Sequence, residues 1–338
     1  MKLKLLRKEL IYPVENAPCP SVHASTLVKM ADGRIAAAWF GGTAEKNPDV
    51  RIWFSVMTDG IWEAPRAITP ANMIADWNPT LYCNENGRLI LIYKEGLDPR
   101  QWYSMVSYSD DMGKTWSQGE PLVFDDVGGR GPVKNKMIAL SDGSLLAPAS
   151  LEDTLNRWEC FADISYDGGK TFEKSATVPM TRPGDDRVYL NKEEFPAQCG
   201  GLIQPTAWEE KERPGRVHML MRSSFSYLYR TDSSDYGKTW SPAYPCGLPN
   251  NNSGVDIAQL DNGLLGLIYN PVACNWGLRT PISVSLSDDN AISWKDTLHL
   301  ETAEGEYSYP AIIPYGDRFC MTYTWKRQTI AYAEVGIE

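Results

Sequence analysis

An eight-residue pattern recurs three times along the chain and constrains its shape more than any other feature. Ser109-Asp-Asp111-Met-Gly113-Lys-Thr115-Trp116 returns as Ser165-Tyr-Asp167-Gly-Gly169-Lys-Thr171-Phe172 and as Ser233-Ser-Asp235-Tyr-Gly237-Lys-Thr239-Trp240. A degenerate copy runs from Ser287 to Trp294, and a more eroded one spans Ser55 to Trp62. A second series interleaves with the first. Six turns, each leading into an apolar or alternating run, have glycines at 33, 87, 143, 215, 263 and 316, at steps of 54, 56, 72, 48 and 53 residues. Asp-Gly or Asn-Gly ahead of a β-rich run signals a tight hairpin, because glycine accepts the positive φ such a turn needs.

A period near 50 residues is the length of one four-stranded propeller blade. The sequence therefore predicts an all-β fold, a six-bladed β-propeller filling residues 1–338 as one domain, with few helices. The opening strand, near Leu3 to Ile11, is expected to join the last blade and remove an exposed edge. The largest insertion, roughly 173–203, reads as a long loop, a length that in compact domains goes with function or motion.

GKT occurs at 113–115, 169–171 and 237–239, but a phosphate loop needs a glycine five residues earlier. Those positions hold Tyr108, Ile164 and Asp232. Each GKT lies inside the repeat, so its Ser and Asp are expected to bond local backbone N–H groups while the aromatic packs between strands.

A net charge of −10 argues against a nucleic-acid partner, which needs clustered positive charge. It leaves room for a locally basic site and an anionic small substrate. No run of 18 apolar residues exists, so no membrane span is expected. Seven scattered cysteines without CxxC pairs and an N-terminus lacking an apolar leader fit a cytoplasmic protein with free thiols. Three histidines offer no metal cluster, and no cofactor is expected; His218 and His299 read as structural.

In a propeller, the start of each innermost strand and the end of the next share one rim. Polar residues open all six innermost strands: His23, Asn78, Asn135 with Lys136, Gln204, Ser253 with Asp256, and Tyr307 with Tyr309. At the ends of the second strands, and just after them, come Glu45, Asp49, Lys94, Glu152, Arg222, Asn270, Arg279, Trp325 and Arg327. Innermost strands otherwise favour apolar side chains, so this polarity predicts one funnel. Its cations suit a carboxylated sugar, since arginine pairs bidentately with carboxylate and aromatic rings cover apolar sugar faces.

The S-x-D-x-G-x-T-W pattern resembles the Asp box of sialidases. HASTLVKMADGRIAAAWFGGTAEKNPDVRIW, VKNKMIALSDGSLLAPAS, NNSGVDIAQLDNG and EYSYPAIIPYGDRFCMTYTWKR extend the likeness to a BNR repeat-like branch of the sialidase superfamily. That family uses a tyrosine nucleophile activated by a glutamate, an aspartate acid/base and three arginines on the substrate carboxylate. The resemblance implies Tyr307 as nucleophile, Asp49 as acid/base, and Arg222 and Arg279 on the carboxylate. It breaks in two places. Val22-His23-Ala24 stands where the family has Arg-Ile-Pro, and Gln204-Pro205 stands where the activating glutamate belongs.

A glutamine cannot take a proton from a tyrosine, so Glu193, Glu194 or Glu152 is a candidate replacement. The leading expectation is an exo-acting glycoside hydrolase of sialidase type on a terminal acidic sugar. Asp49, Tyr307, His23 and Glu45 carry the chemistry, and Arg222, Arg279, Lys94, Lys136, Asn135, Gln204, Asp256, Tyr309, Trp325 and Arg327 hold the substrate. Two rivals stand beside it: a uronate lyase or atypical glycosidase that moves protons through His23, and a non-catalytic sugar-binding propeller.

Overall fold

The structure, a computed structural model, describes residues 1–338 and is all-β; its only helical pieces are two single 3-10 turns, Val14–Asn16 and Lys192–Glu194. The strands pair as successive antiparallel meanders. The first contains Ser21–Lys29, Ile35–Gly42 and Arg51–Thr58. Asp76–Cys83, Leu89–Glu95 and Tyr103–Ser109 form the second, and Ile138–Ala139, Leu145–Glu152 and Arg157–Ser165 the third. Gly200–Glu209, Val217–Ser223 and Tyr227–Ser233 begin the fourth, and Asp256–Gln259, Leu265–Tyr269 and Ile282–Ser287 the fifth. Tyr307–Tyr315, Arg318–Trp325 and Thr329–Ile337 make the last, whose fourth strand is Leu3–Leu10, paired from Leu3 with Ile337 to Leu10 with Ala331. A short parallel bridge joins Arg157 and Trp158 to Gly200 and Gly201.

All six turn glycines sit at positive φ, from 63° to 88°, as the tight hairpins require. The repeats are turns too. In the first, Gly113 N–H donates to Ser109 Oγ (2.8 Å), while Thr115 N–H and Oγ1–H donate to the two carboxylate oxygens of Asp111 (2.9 and 2.6 Å). The copies at 165–172 and 233–240 repeat these bonds, and the one at Ser287 keeps them with Ala291 and Ser293 in place of glycine and threonine. The eroded copy makes none of them: Ser55 Oγ donates instead to Glu63 O.

Each repeat's aromatic bridges to a neighbouring sheet. Trp116 meets Phe54 edge-on at 5.5 Å, and Phe172 joins Ile90 and Ile92 in one buried cluster. Trp240 packs with Leu146, and the last sheet returns to the first through Tyr332 against Trp62 at 5.3 Å. Between the fifth and last sheets the approach is closer still, since a Cβ on Gly266 would lie 2.9 Å from the Phe319 ring. Truncating one such buried aromatic costs about 3–5 kcal/mol.

The insertion departs from the expected loop. Met180–Arg182 and Asp185–Tyr189 form a small hairpin, and Tyr189 and Phe195 bury their rings against each other. Apolar anchors in a stretch rich in turn residues give it structure of its own.

Four innermost strands share one irregularity. Register breaks fall at His23/Thr26, Trp77/Thr80, Ile203/Thr206 and Ser308/Ala311. At each break a non-glycine residue takes positive φ: Ala24 (54°), Asn78 (39°), Gln204 (52°) and Tyr309 (49°). Such a conformation costs on the order of 1–2 kcal/mol and re-aims side chains. Proline follows in three cases, where a missing N–H leaves no ladder partner unpaired. Buried donors brace the bulges: Asn135 Nδ2 donates to Gln204 O (3.2 Å) and Pro205 O (2.9 Å), and Lys134 Nζ donates to Pro310 O.

Candidate functional site

The bulges open onto a cavity of about 370 Å³. His23, Glu45, Gln204, Arg222, Arg279, Tyr309 and Arg327 line it, so seven expected site residues from four sheets converge. Trp77, Trp102, Trp158 and Trp276 supply aromatic wall, and Lys46, Asn78, Asn156 and Glu152 complete the polar lining.

Tyr309 lies at the centre of the contacts. Its ring centroid is 4.2 Å from that of His23, and the guanidiniums of Arg279 and Arg222 stand 5.3 and 5.8 Å from it. Its hydroxyl accepts from Arg222 Nη1 at 2.7 Å. Arg222 is itself buried; Nη1 also donates to Gln204 Oε1 (3.1 Å), and Nε donates to Asn252 Oδ1 (2.6 Å). Trp276 and Trp158 offer further aromatic faces at 5.5 and 6.0 Å. None of these partners carries negative charge.

The other two arginines differ. Glu306 Oε1 accepts from Arg279 Nη1 (2.6 Å) and Arg327 Nε (2.9 Å), and Arg327 Nη1 donates to Glu45 at 2.5 Å. Burial alone raises the Glu306 carboxyl, but Arg279 and Arg327 outweigh it and hold the group below the usual range. His23 Nδ1 lies 2.9 Å from Thr324 Oγ1 and 3.9 Å from Glu306. Burial, reinforced by the charges of Arg327, Arg279, Lys134 and Arg222, drives this imidazole well below its ordinary value, so it is neutral at pH 7.

Seven expected site residues lie elsewhere. Asp49 is exposed and accepts from the N–H and hydroxyl of Thr43 (2.8 and 2.6 Å), which lowers its carboxyl and ties a surface loop. Tyr307 is buried in the apolar core of the last sheet, with Trp325 packed beside it at 6.3 Å. The bulge explains the exchange: the break after Ser308 turns Tyr309, not Tyr307, into the cavity. Lys94 is sealed between the second and third sheets, donating to Ser104 Oγ (2.5 Å) and Arg130 O (2.8 Å), and burial pushes it down to about 7. Lys136 and Asp256 bond each other, and Asn135 braces the Gln204 bulge.

Among the replacements for the missing glutamate, Glu193 and Glu194 pair with Lys192 and Arg187 outside the cavity. Glu152 is the one that lines it. Sequence reasoning passed over Glu306, Lys134 and Trp276. Glu306 directly precedes Tyr307, Lys134 is two residues before Lys136, and Trp276 sits in a loop that no periodicity marks. No three His, Cys, Asp or Glu side chains are grouped to hold a metal ion, and no helix is long and apolar enough to cross a membrane.

This architecture recurs in solved structures. A Hadza microbial sialidase, Hz136, superposes with a TM-score of 0.79 at 15% identity, over 97% of this chain and 68% of that one. A Dyadobacter fermentans protein of unknown function gives 0.75 at 17% identity over 99% of both chains. The intramolecular trans-sialidase of Ruminococcus gnavus, solved with oseltamivir carboxylate, gives 0.71 at 14% identity over 95% of this chain and 96% of that one. At these identities the likeness is one of fold. In sequence, a sialidase of Micromonospora viridifaciens is 27% identical over 191 residues, 55% of this chain; the chain thus spans about a quarter (26%) of that relative's length. The family model for the BNR repeat-like domain matches residues 33–321, most of the chain, which therefore belongs to the BNR repeat-like family of the sialidase superfamily.

Proposed function

We propose that residues 1–338 form one six-bladed β-propeller that removes a terminal carboxylated sugar from a glycan, as an exo-acting glycosidase. The blade count rests on six antiparallel meanders and on the return contact from the last to the first. The observation that carries the substrate class is Arg222. A guanidinium taken out of water with only neutral hydrogen-bond partners is costly, and a bidentate carboxylate compensates it. Trp276 and Trp158, flanking the same guanidinium, offer faces for the ring that carries the acid. In this reading Tyr309 faces the anomeric carbon without bonding to it, and Gln204 orients Arg222 and has no basic role.

The test is calorimetric titration with a panel of sialosides and uronides and their methyl esters. Acids should bind, and esters should bind at least tenfold more weakly. Arg222→Ala should abolish that preference, whereas equal affinity for acid and ester would sink the reading.

One observation favours a second reading. Neutral His23 packs directly on Tyr309 at the cavity wall, a pairing suited to abstracting a proton next to a uronate carboxyl. Elimination leaves an unsaturated sugar that absorbs in the ultraviolet, and hydrolysis does not. A folded protein that binds acids and turns none over would be a sugar-binding module.

A further inference from the structure

The carboxyl groups near the cavity are committed to partners, with one exception. Glu45 is bound to Arg327, Glu306 to Arg279 and Arg327, Asp98 to Arg100 (2.6 Å) and Asp49 to Thr43. Glu152 ends the strand Leu145–Glu152, directly across from Trp158, and lines the same cavity as Arg222 and Tyr309. It is half-buried, and no hydrogen bond or ion pair engages its carboxyl. Burial pushes that carboxyl up; the Arg222 charge opposes the rise without cancelling it. An unpaired carboxyl that burial makes hold its proton more tightly, inside a sugar-sized cavity, is the kind of acid that departure of a sugar alkoxide requires.

We propose that Glu152 is the catalytic proton donor to the glycosidic oxygen. This rests on the acidic-glycoside reading above. As the bond between the anomeric carbon and the glycosidic oxygen breaks, its electron pair leaves with the oxygen, which takes the Glu152 proton. Water then adds to the anomeric carbon and gives a proton back to the Glu152 carboxylate, so the group ends as it began.

The experiment compares wild type with Glu152→Gln and Glu152→Asp on one acidic sugar carrying two leaving groups, an alkyl alcohol and nitrophenol. Binding of the free acidic sugar and thermal melting are followed in parallel. For Glu152→Gln, kcat/KM on the alkyl glycoside should fall about 100-fold or more. The nitrophenyl glycoside, which needs little protonation, should lose less than about tenfold, with affinity for the free sugar retained. The decline of wild-type kcat/KM at high pH should vanish in Glu152→Gln and persist, displaced, in Glu152→Asp. Equal losses on both leaving groups with an unchanged pH profile, or full activity in Glu152→Gln, would overturn the assignment and leave the substrate class standing. A folded wild type that binds no acidic sugar would overturn both.

Discussion

Lys136 Nζ stands 2.9 Å from both carboxylate oxygens of Asp256, a side chain with no exposure at all. The same carboxylate accepts from Thr206 Oγ1 (2.6 Å), Ile257 N–H (2.9 Å) and Ile312 N–H (2.9 Å), so one buried group ties three innermost strands to the segment that leads into Ile138–Ala139. Removing it strands the half-buried Lys136 ammonium and the Ile312 amide, while Ile257 N–H keeps Thr206 Oγ1 at 3.2 Å. Asp256→Ala should cost about 3–5 kcal/mol in denaturant unfolding. Lys136→Met with Asp256→Leu should recover part of that loss. A cost below about 1 kcal/mol for the single change would contradict the bracing role.

The two tyrosines of the last innermost strand should behave oppositely. Tyr309→Phe removes the acceptor at 2.7 Å from Arg222 and should lower affinity for an acidic sugar at least several-fold. Tyr307→Phe, inside the apolar core, should leave affinity within about twofold. Titration of both variants with the same ligand decides the matter, and the reverse order would restore the assignment that family resemblance implies.

His23 sets a lower pH boundary on stability. Its folded imidazole resists protonation while the unfolded chain takes a proton near the ordinary value of 6.5, so stability is lost as pH falls through and below that point. His23→Gln should flatten unfolding free energy between pH 6.5 and 5. An unaltered slope would mean that His23 protonates freely in the folded protein.

Asp76 acts in the other direction. Burial pushes its carboxyl up to about 7; the Thr69 hydroxyl opposes the rise and the Glu95 charge adds to it. The folded state holds a proton that the unfolded chain has released above 3.8, so stability declines as pH climbs from there through about 7. Asp76→Asn should raise unfolding free energy at pH 8 by on the order of 2 kcal/mol and change little at pH 4. Denaturant melts at the two pH values measure it.

The repeat aspartates hold turns and do not line the cavity. Asp235→Ala removes the acceptor for Thr239 N–H and Oγ1–H and should cost about 1–2 kcal/mol with no change in sugar affinity.

Much of this molecule is legible in its sequence, because turns are local. The glycine positions and the Ser/Asp/Thr geometry of the repeats follow from a few adjacent residues and appear where the spacing puts them in every copy but the eroded one at Ser55. The cavity is less legible, because facing depends on register. A bulge at Ser308/Ala311 exchanges Tyr307 for Tyr309, and alternation counted along a regular strand cannot foresee it. Partner choice is also hidden. Lys136 and Asp256 look like free funnel charges until folding brings them to 2.9 Å, and Glu152 stands out only once the other carboxylates have found partners.

The pairing of Leu3 with Ile337 sets the order of assembly and the response to load. Leu3–Leu10 is synthesised before the other strands of its sheet and has no partner there until Thr329–Ile337 has emerged, so the last sheet is completed after the others have had time to form. Because the two strands run antiparallel, with Lys2 N–H donating to Glu338 O at 2.8 Å, their outer ends lie side by side. A mechanical pull between those ends would open the pair one rung at a time, as a zipper, and would not have to shear the whole row at once.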